Sequence, residues 1–314
     1  MPLDPQFQTM IDAMDTSMSV RTLPLAELRA FVRQSSMAAG PLDVPLAAIR
    51  DDEIPGPGGP LRIRIYTPEG SGPFPLTMFF HGGGFVVGDL DTQDMIARAL
   101  SHRLASVVVS VDYRLAPEHK FPAAPEDAYA ATTWAAANAQ ALGADAERLI
   151  VAGDSAGALL AASVAMASRD RGGPPIAAQI LFYGSCDYPS EETPSAVEYV
   201  DGPFITGDDI DFFWSQYLGD PEREQHDVRA SPMRAKDHSR LAPAFVVAPE
   251  CDPTRDHAEA YGAKLKAASV PTEVRRYPGM PHGFVSWLGM VPAASQAVDD
   301  AVTFVRQQLA EKVA

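Results

Sequence analysis

The chain has 314 residues, 46% of them hydrophobic and 21% charged, with a formal charge of −16 at pH 7. That length and composition describe an ordinary globule able to fill one large core, and the acidity excludes nucleic acid and anionic membrane as electrostatic partners. No apolar run reaches the ~20 residues of a membrane span, and the N-terminus has no basic-then-apolar leader pattern, so the cytoplasm is the expected location. Cys186 and Cys251 make no disulfide framework, and no Cys/His cluster has metal-site spacing.

Residues 1 to about 40 read as two helices. Phe7, Met10, Ile11 and Met14 form one apolar stripe, and Leu25, Leu28, Phe31 and Val32 another, with Pro24 in the tolerated first turn and 39–41 as the stop. From about 45 the pattern turns to strands. Runs 47–51 and 61–66 flank the Pro/Gly stretch 55–60, and the second alternates apolar with basic residues as a half-exposed antiparallel strand does. Runs 75–80 and 106–111 are nearly continuous in apolar residues, as strands covered on both faces are, with a helix over 94–104 between them. Helix and strand then alternate: helix 126–142, strand 148–151, helix 156–169, strand 178–182, strand 244–248, helix 257–268, strand 273–277 and helix 293–309. Such alternation builds a mostly parallel sheet, here of about eight strands, with helices on both faces. Ligands bind at the carboxyl ends of strands in such sheets.

The stretch 186–228 breaks this rhythm. Between Asp187 and Asp227 it carries twelve carboxylates against Arg223, a net charge of −11. Within it, Thr206 to Asp209 resembles a capping box, and Ile210, Phe213, Trp214, Tyr217 and Leu218 share one helix face. Both this face and the N-terminal stripes need a surface to cover. One helical cap made of 1–40 and 186–228, over a core of 41–185 and 229–314, satisfies both.

The chemistry centres on Gly153-Asp154-Ser155-Ala156-Gly157, a G-x-S-x-G pattern between a strand and a small-residue helix. This nucleophile elbow exposes the serine hydroxyl on a strained turn. Alone, the pattern occurs by chance in roughly one chain in ten of this length. An activated serine needs a base and an orienting acid, which follow an elbow in the order Ser, Asp/Glu, His. His81, His102 and His119 precede Ser155, while His226 and His238 leave no room for an acid on a strand end before them. His257 opens a helix and is expected to be tied to its neighbours. His282, in the Pro/Gly-framed loop after strand 273–277, is the base this reading selects. Glu250, Asp252 and Asp256 follow strand 244–248; Asp252 lies in the turn itself and is taken as the acid, since Asp256 suits a helix's first turn. Oxyanion donors are expected from the Ala156 N–H and from His81-Gly82-Gly83-Gly84-Phe85, a run that chance supplies only about twice in a thousand such chains. His81 itself is read as structural.

Together, 81–85, Asp112-Tyr113-Arg114-Leu115-Ala116-Pro117-Glu118, the elbow, Asp252 to Asp256 and His282-Gly283-Phe284 resemble the hormone-sensitive-lipase-like carboxylesterases of the α/β-hydrolase superfamily, over about residues 45–310. The resemblance implies an α/β-hydrolase fold with a helical cap, no cofactor, and hydrolysis of short- to medium-chain esters through an acyl-enzyme. Its motifs place nucleophile, acid and base on Ser155, Asp252 and His282, and the oxyanion donors on Gly83, Gly84 and Ala156. Many members have Leu where Thr254 stands. The segment 113–118 is expected to brace the loop beneath the elbow. Phe85, Phe213, Trp214 and Tyr217 are expected to line an acyl pocket. The expected partner is a small ester, and a homodimer is compatible with the sequence. An amidase, lactonase or acyltransferase would use the same residues; a ligand receptor on this fold would lack the histidine that stands at 282.

Overall fold

A computed structural model describes residues 2–13, 20–38, 40–189 and 192–311. Met14 of the first apolar stripe, Ala39 in the stop of the second helix and Glu191, one of the twelve carboxylates, lie outside them. In chain order, helices α1 (Pro5–Ala13) and α2 (Leu25–Met37) precede an antiparallel hairpin of β1 (Ala48–Gly56) and β2 (Gly59–Thr67). Pairing continues to Gly56 opposite Gly59, so the strands run into the Pro/Gly stretch and leave only the turn at Pro57 and Gly58. There follow β3 (Phe74–Phe80), α3 (Asp94–Leu104), β4 (Val107–Val111), α4 (Ala123–Ala137), β5 (Ala144–Asp154), α5 (Ala156–Arg171) and β6 (Ile176–Phe182). Short helices α6 (Pro194–Glu198), α7 (Gly207–Tyr217) and α8 (Pro221–Glu224) come next. The chain then completes β7 (Ala244–Cys251), α9 (Arg255–Ala267), β8 (Thr272–Pro281) and α10 (Pro292–Glu311).

Among the described residues, the eight strands form one sheet in the order β1-β2-β4-β3-β5-β6-β7-β8, antiparallel through the first three and parallel from β4 onward. Side chains alternate across it as the strand period requires. Met78, Phe80, Val109 and Val151 face the layer of α4, α5 and α9, while Phe79, Val108, Ile150 and Ala152 face α3 and α10. The small residues of α5 suit its position, buried on nearly every side from Ala156 to Met166. The helix expected over 126–142 ends at Ala137, and β5 starts earlier than the apolar run, at Ala144, because Ala144 and Asp145 pair with Phe74 and Pro75 ahead of a bulge.

The N-terminal helices and the insertion meet above the carboxyl ends of the strands. Phe7 of α1 is fully buried and packs edge-on against Phe204 and Trp287. Arg29 of α2 donates to the carbonyls of Val86 and Ala116 and holds Glu118 with two hydrogen bonds of 2.7 and 2.8 Å. Leu28 is buried as the stripe requires, whereas Phe31 is 40% exposed, because the Arg29 face of the helix is the one that docks. Pro24 stands just ahead of the first turn. Thr206 and Asp209 form the reciprocal capping box of α7. No described helix is long and apolar enough to cross a membrane.

Candidate active site

Strand β5 ends at Asp154 and α5 starts at Ala156, which leaves Ser155 alone between them with φ 52° and ψ −119°. A non-glycine residue reaches that left-handed region only when its surroundings impose it. Two contacts do so here. The Ser155 N–H donates to Phe182 O at 2.8 Å, and Gly157 lies so close to Phe80 that any Cβ would collide with the Phe80 carbonyl. The result holds the hydroxyl clear of the sheet at the positive end of α5.

The other two groups come from the next parallel pair. Cys251 of β7 lies opposite Pro281 of β8, so Asp252 and His282, each the residue that follows, leave the sheet side by side. His282 Nε2 lies 2.8 Å from Ser155 Oγ, and His282 Nδ1 lies 2.8 Å from Asp252 Oδ2. Asp252 is fully buried, and its Oδ1 accepts from both the backbone N–H (2.7 Å) and the hydroxyl (2.9 Å) of Thr254. Burial alone would lower the pKa of His282, but the charge and hydrogen bond of Asp252 outweigh it and the net direction is upward. This is the geometry of a proton relay that can draw the proton from Ser155 Oγ and hold it on an imidazolium stabilised by a carboxylate.

The glycine run leaves β3 beside the elbow. Asp154 Oδ1 accepts the Gly82 N–H at 2.8 Å, which ties this loop to the strand that carries Ser155. Asp154 is buried, and burial pushes its carboxyl up to about 7 against the lowering effects of the Gly82 hydrogen bond and of His282. Gly83 and Gly84 have φ of 117° and 58°. Among the described residues, their N–H groups and that of Ala156 have no backbone acceptor, and Gly84 and Ala156 both line the cavity at Ser155. His81 is buried and stacked on Tyr113, with its Nδ1 2.8 Å from Gly82 O. Tyr113 donates to His81 O at 2.7 Å, and Arg114 grips Asp127. The segment 113–118 therefore braces the loop from below.

Two cavities open at Ser155. One, of about 50 Å³, is walled by Phe85, Leu159, Ile210, Phe213 and Trp214. The other, of about 230 Å³, reaches Val20 and Val32 of the N-terminal segment together with Phe204 and Ser286. Phe85, Phe213 and Trp214 thus stand where an acyl-pocket lining was expected, but Tyr217 does not. One turn further along α7, its ring is fully buried and stacked behind Phe85, with centroids 3.8 Å apart. It supports the wall without facing the cavity. His257 also departs from expectation: it is 9% exposed, and among the described residues its ring makes no hydrogen bond to a neighbour. Cys186 and Cys251 are buried and not disulfide-bonded, and the described residues hold no cluster able to bind a metal. Sequence reasoning passed over Asp154 and the Thr254 hydroxyl. The first was hidden inside its motif, and the second was marked only by its departure from leucine.

Residues 77–286 match the family model for the alpha/beta hydrolase fold. Among characterised relatives, an esterase of Mycobacterium tuberculosis, LipI, is 42% identical over 265 residues, covering 83% of this chain and 82% of the relative. An ethyl acetate hydrolase of Pseudomonas putida is 32% identical across 98% of this chain and its own full length. The crystallographically described esterase of the archaeon Pyrobaculum calidifontis superposes with a TM-score of 0.94 at 38% identity, covering 98% of this chain and 99% of that one. With the fold, the family model and these relatives in agreement, the chain belongs to the hormone-sensitive-lipase-like carboxylesterases of the α/β-hydrolase family and is a carboxylic-ester hydrolase.

Proposed function

We propose that the chain hydrolyses short- to medium-chain carboxylic esters through an acyl-enzyme on Ser155. The observation that carries this reading is the unbroken hydrogen-bonded chain from Ser155 Oγ through His282 to the buried Asp252, at 2.8 Å on each side of the ring. His282 takes the Ser155 proton as Oγ attacks the acyl carbon, and the imidazolium then protonates the departing alkoxide. A water molecule, deprotonated by the same nitrogen, attacks the acyl carbon, and the acid leaves as Ser155 recovers its proton. The N–H groups of Gly83, Gly84 and Ala156 are assigned to the oxyanion of both tetrahedral intermediates, where one donor is worth about 3 kcal/mol. The chain-length preference is supported by the two cavities that open at Ser155, about 50 and 230 Å³, each below the 300–1,000 Å³ typical of pockets for larger ligands. In the same reading, segments 1–40 and 186–228 act as one cap that shapes both sides of the site.

The test compares wild type with Ser155→Ala on p-nitrophenyl esters of increasing acyl length. Wild type should favour the shorter chains, and the variant should lose about 10⁶-fold in kcat while keeping its thermal transition. A p-nitrophenyl phosphonate should add one phosphonyl group to wild type and none to the variant. Undiminished turnover by Ser155→Ala would overturn the mechanism.

A further inference from the structure

Behind the wall of the Ser155 pocket lies a larger cavity, of about 480 Å³, between the insertion and the start of α9. The two compartments are adjacent: Ser185, Ile210, Trp214 and Thr254 line both. The outer one has apolar walls but carries the side chains of Asp187, Glu192, Asp208 and Asp211, and no lysine or arginine is among its lining residues. Asp187 and Asp208 are paired from outside, with Arg234 at 2.6 Å and Arg21 at 2.7 Å. Glu192 and Asp211 have no ion-pair partner among the described residues, and both are exposed. The compartment therefore presents net negative charge at its mouth.

An independent observation points to a ligand. His257 lines this cavity from the first turn of α9, is nine-tenths buried, and makes no hydrogen bond among the described residues. Its ring nitrogens are not among the sealed, unpartnered atoms of the core, so they remain open to a partner that enters the cavity. Burial holds the His257 pKa down, against the raising effect of Asp187 and the carboxylates of Asp256 and Asp252, so near pH 7 the ring is neutral and offers a lone pair as well as an N–H. A purely apolar occupant would leave that ring unsatisfied. An anionic one would meet like charges. A cationic donor satisfies the lone pair and the free carboxylates together.

We propose that this compartment is a subsite for the distal end of the substrate, and that it selects esters whose acyl or alcohol arm ends in a protonated amine. The inference rests on the esterase reading above and deepens it.

The experiment measures kcat/KM at pH 7 and low salt for two matched pairs. In the acyl-arm pair, p-nitrophenyl 6-aminohexanoate is set against p-nitrophenyl heptanoate; in the alcohol-arm pair, 4-aminobutyl butyrate is set against pentyl butyrate. The amine should be preferred about tenfold in one pair, the gain expected of one or two partly screened ion pairs, and the pair that shows it identifies the arm. The preference should fall toward unity in 1 M NaCl and in Asp211→Asn and His257→Phe. Because the ratio is read within each variant, a general loss of activity does not disturb it, and the exposed Asp211 gives a variant whose folding is not at issue. Ratios of one or less in both pairs, or a preference unchanged by salt and by both substitutions, would overturn the proposal. Failure to hydrolyse even the neutral esters would instead count against the esterase reading.

Discussion

The strand ends that carry Ser155, Asp252 and His282 and the helical segments that lie over them differ first in how their polar groups are held. Below, Asp252 is 0% exposed and each of its oxygens has a partner inside the chain. Above, part of what joins the overlying segments to one another lies at the surface. The Arg21–Asp208 pair is 48% and 64% exposed, and pairs of that kind contribute at most about 1 kcal/mol. Val197 and Val200, on and just beyond α6, stand 59% and 50% exposed. A buried, fully partnered relay tolerates little change, whereas the exposed pairs and side chains of the overlying segments can vary at small cost to the fold. On the reading proposed above, reaction and selectivity fall on parts of the molecule that substitutions can address separately.

Substitutions below the interface should lower turnover on every ester. After Ser155→Ala, the largest effect is expected of Asp252→Asn, which should reduce kcat about 10⁴-fold. His282 must be neutral to accept the proton, and its pKa is raised, so wild-type kcat/KM should fall as pH drops through a value above the ordinary imidazole figure of about 6.5. In Asp252→Asn, which lacks the carboxylate that raises it, this acid limb should move to lower pH; a limb that stays in place would remove Asp252 as the cause. Next is Gly84→Ala, at the point where the two regions touch. The new Cβ would overlap the Phe213 ring, and φ of 58° is strained for alanine. Displacing one oxyanion donor should cost about 10²-fold in kcat, part of which the double variant with Phe213→Ala should restore.

Phe213→Ala alone acts from the cap. It should leave kcat on acetate esters within a few-fold of wild type and shift the optimum toward longer acyl chains by about tenfold in relative kcat/KM, the scale of one or two methylenes in an apolar pocket. An unchanged chain-length profile would show that α7 does not set the pocket. The smallest effect is expected of Thr254→Val, which removes a single hydroxyl from Asp252 Oδ1. Loss of this hydrogen bond to a charged group should reduce kcat about threefold to tenfold and move the acid limb slightly upward, since a less neutralised carboxylate holds the imidazolium more tightly.

What the sequence makes legible follows the same division. Continuous apolar runs mark buried strands wherever both faces are covered, and the chain order of serine, acid and histidine singles out Asp252 and His282 because each follows a strand. The sheet order is not legible, since the placing of β4 beside β2 depends on partners far apart in sequence. Asp154 was missed for that reason: its hydrogen bond to Gly82 spans 72 residues and becomes visible only when β3 and β5 are known to be neighbours. Tyr217 was misplaced for another. A helical stripe tells which side chains are buried, but not that a step of one turn from Phe213 passes from the cavity wall to the layer behind it. Phe31 fits the stripe of α2 by spacing, yet Arg29 and its four acceptors decide how that helix docks.

The central strand pair has a further consequence. β3 and β5 run parallel with Phe80 opposite Gly153, and the glycine loop and the elbow both start within two residues of that point. A strand advances ~3.3 Å per residue, more than the whole working range of a hydrogen bond. A slip of one residue between these strands would break the Asp154–Gly82 bond and move Ser155 relative to the Gly83 and Gly84 amides proposed as oxyanion donors. The sheet therefore serves as a ruler for the reaction, and packing residues such as Met78 and Val151, which never meet a substrate, help set the distance across which the chemistry takes place.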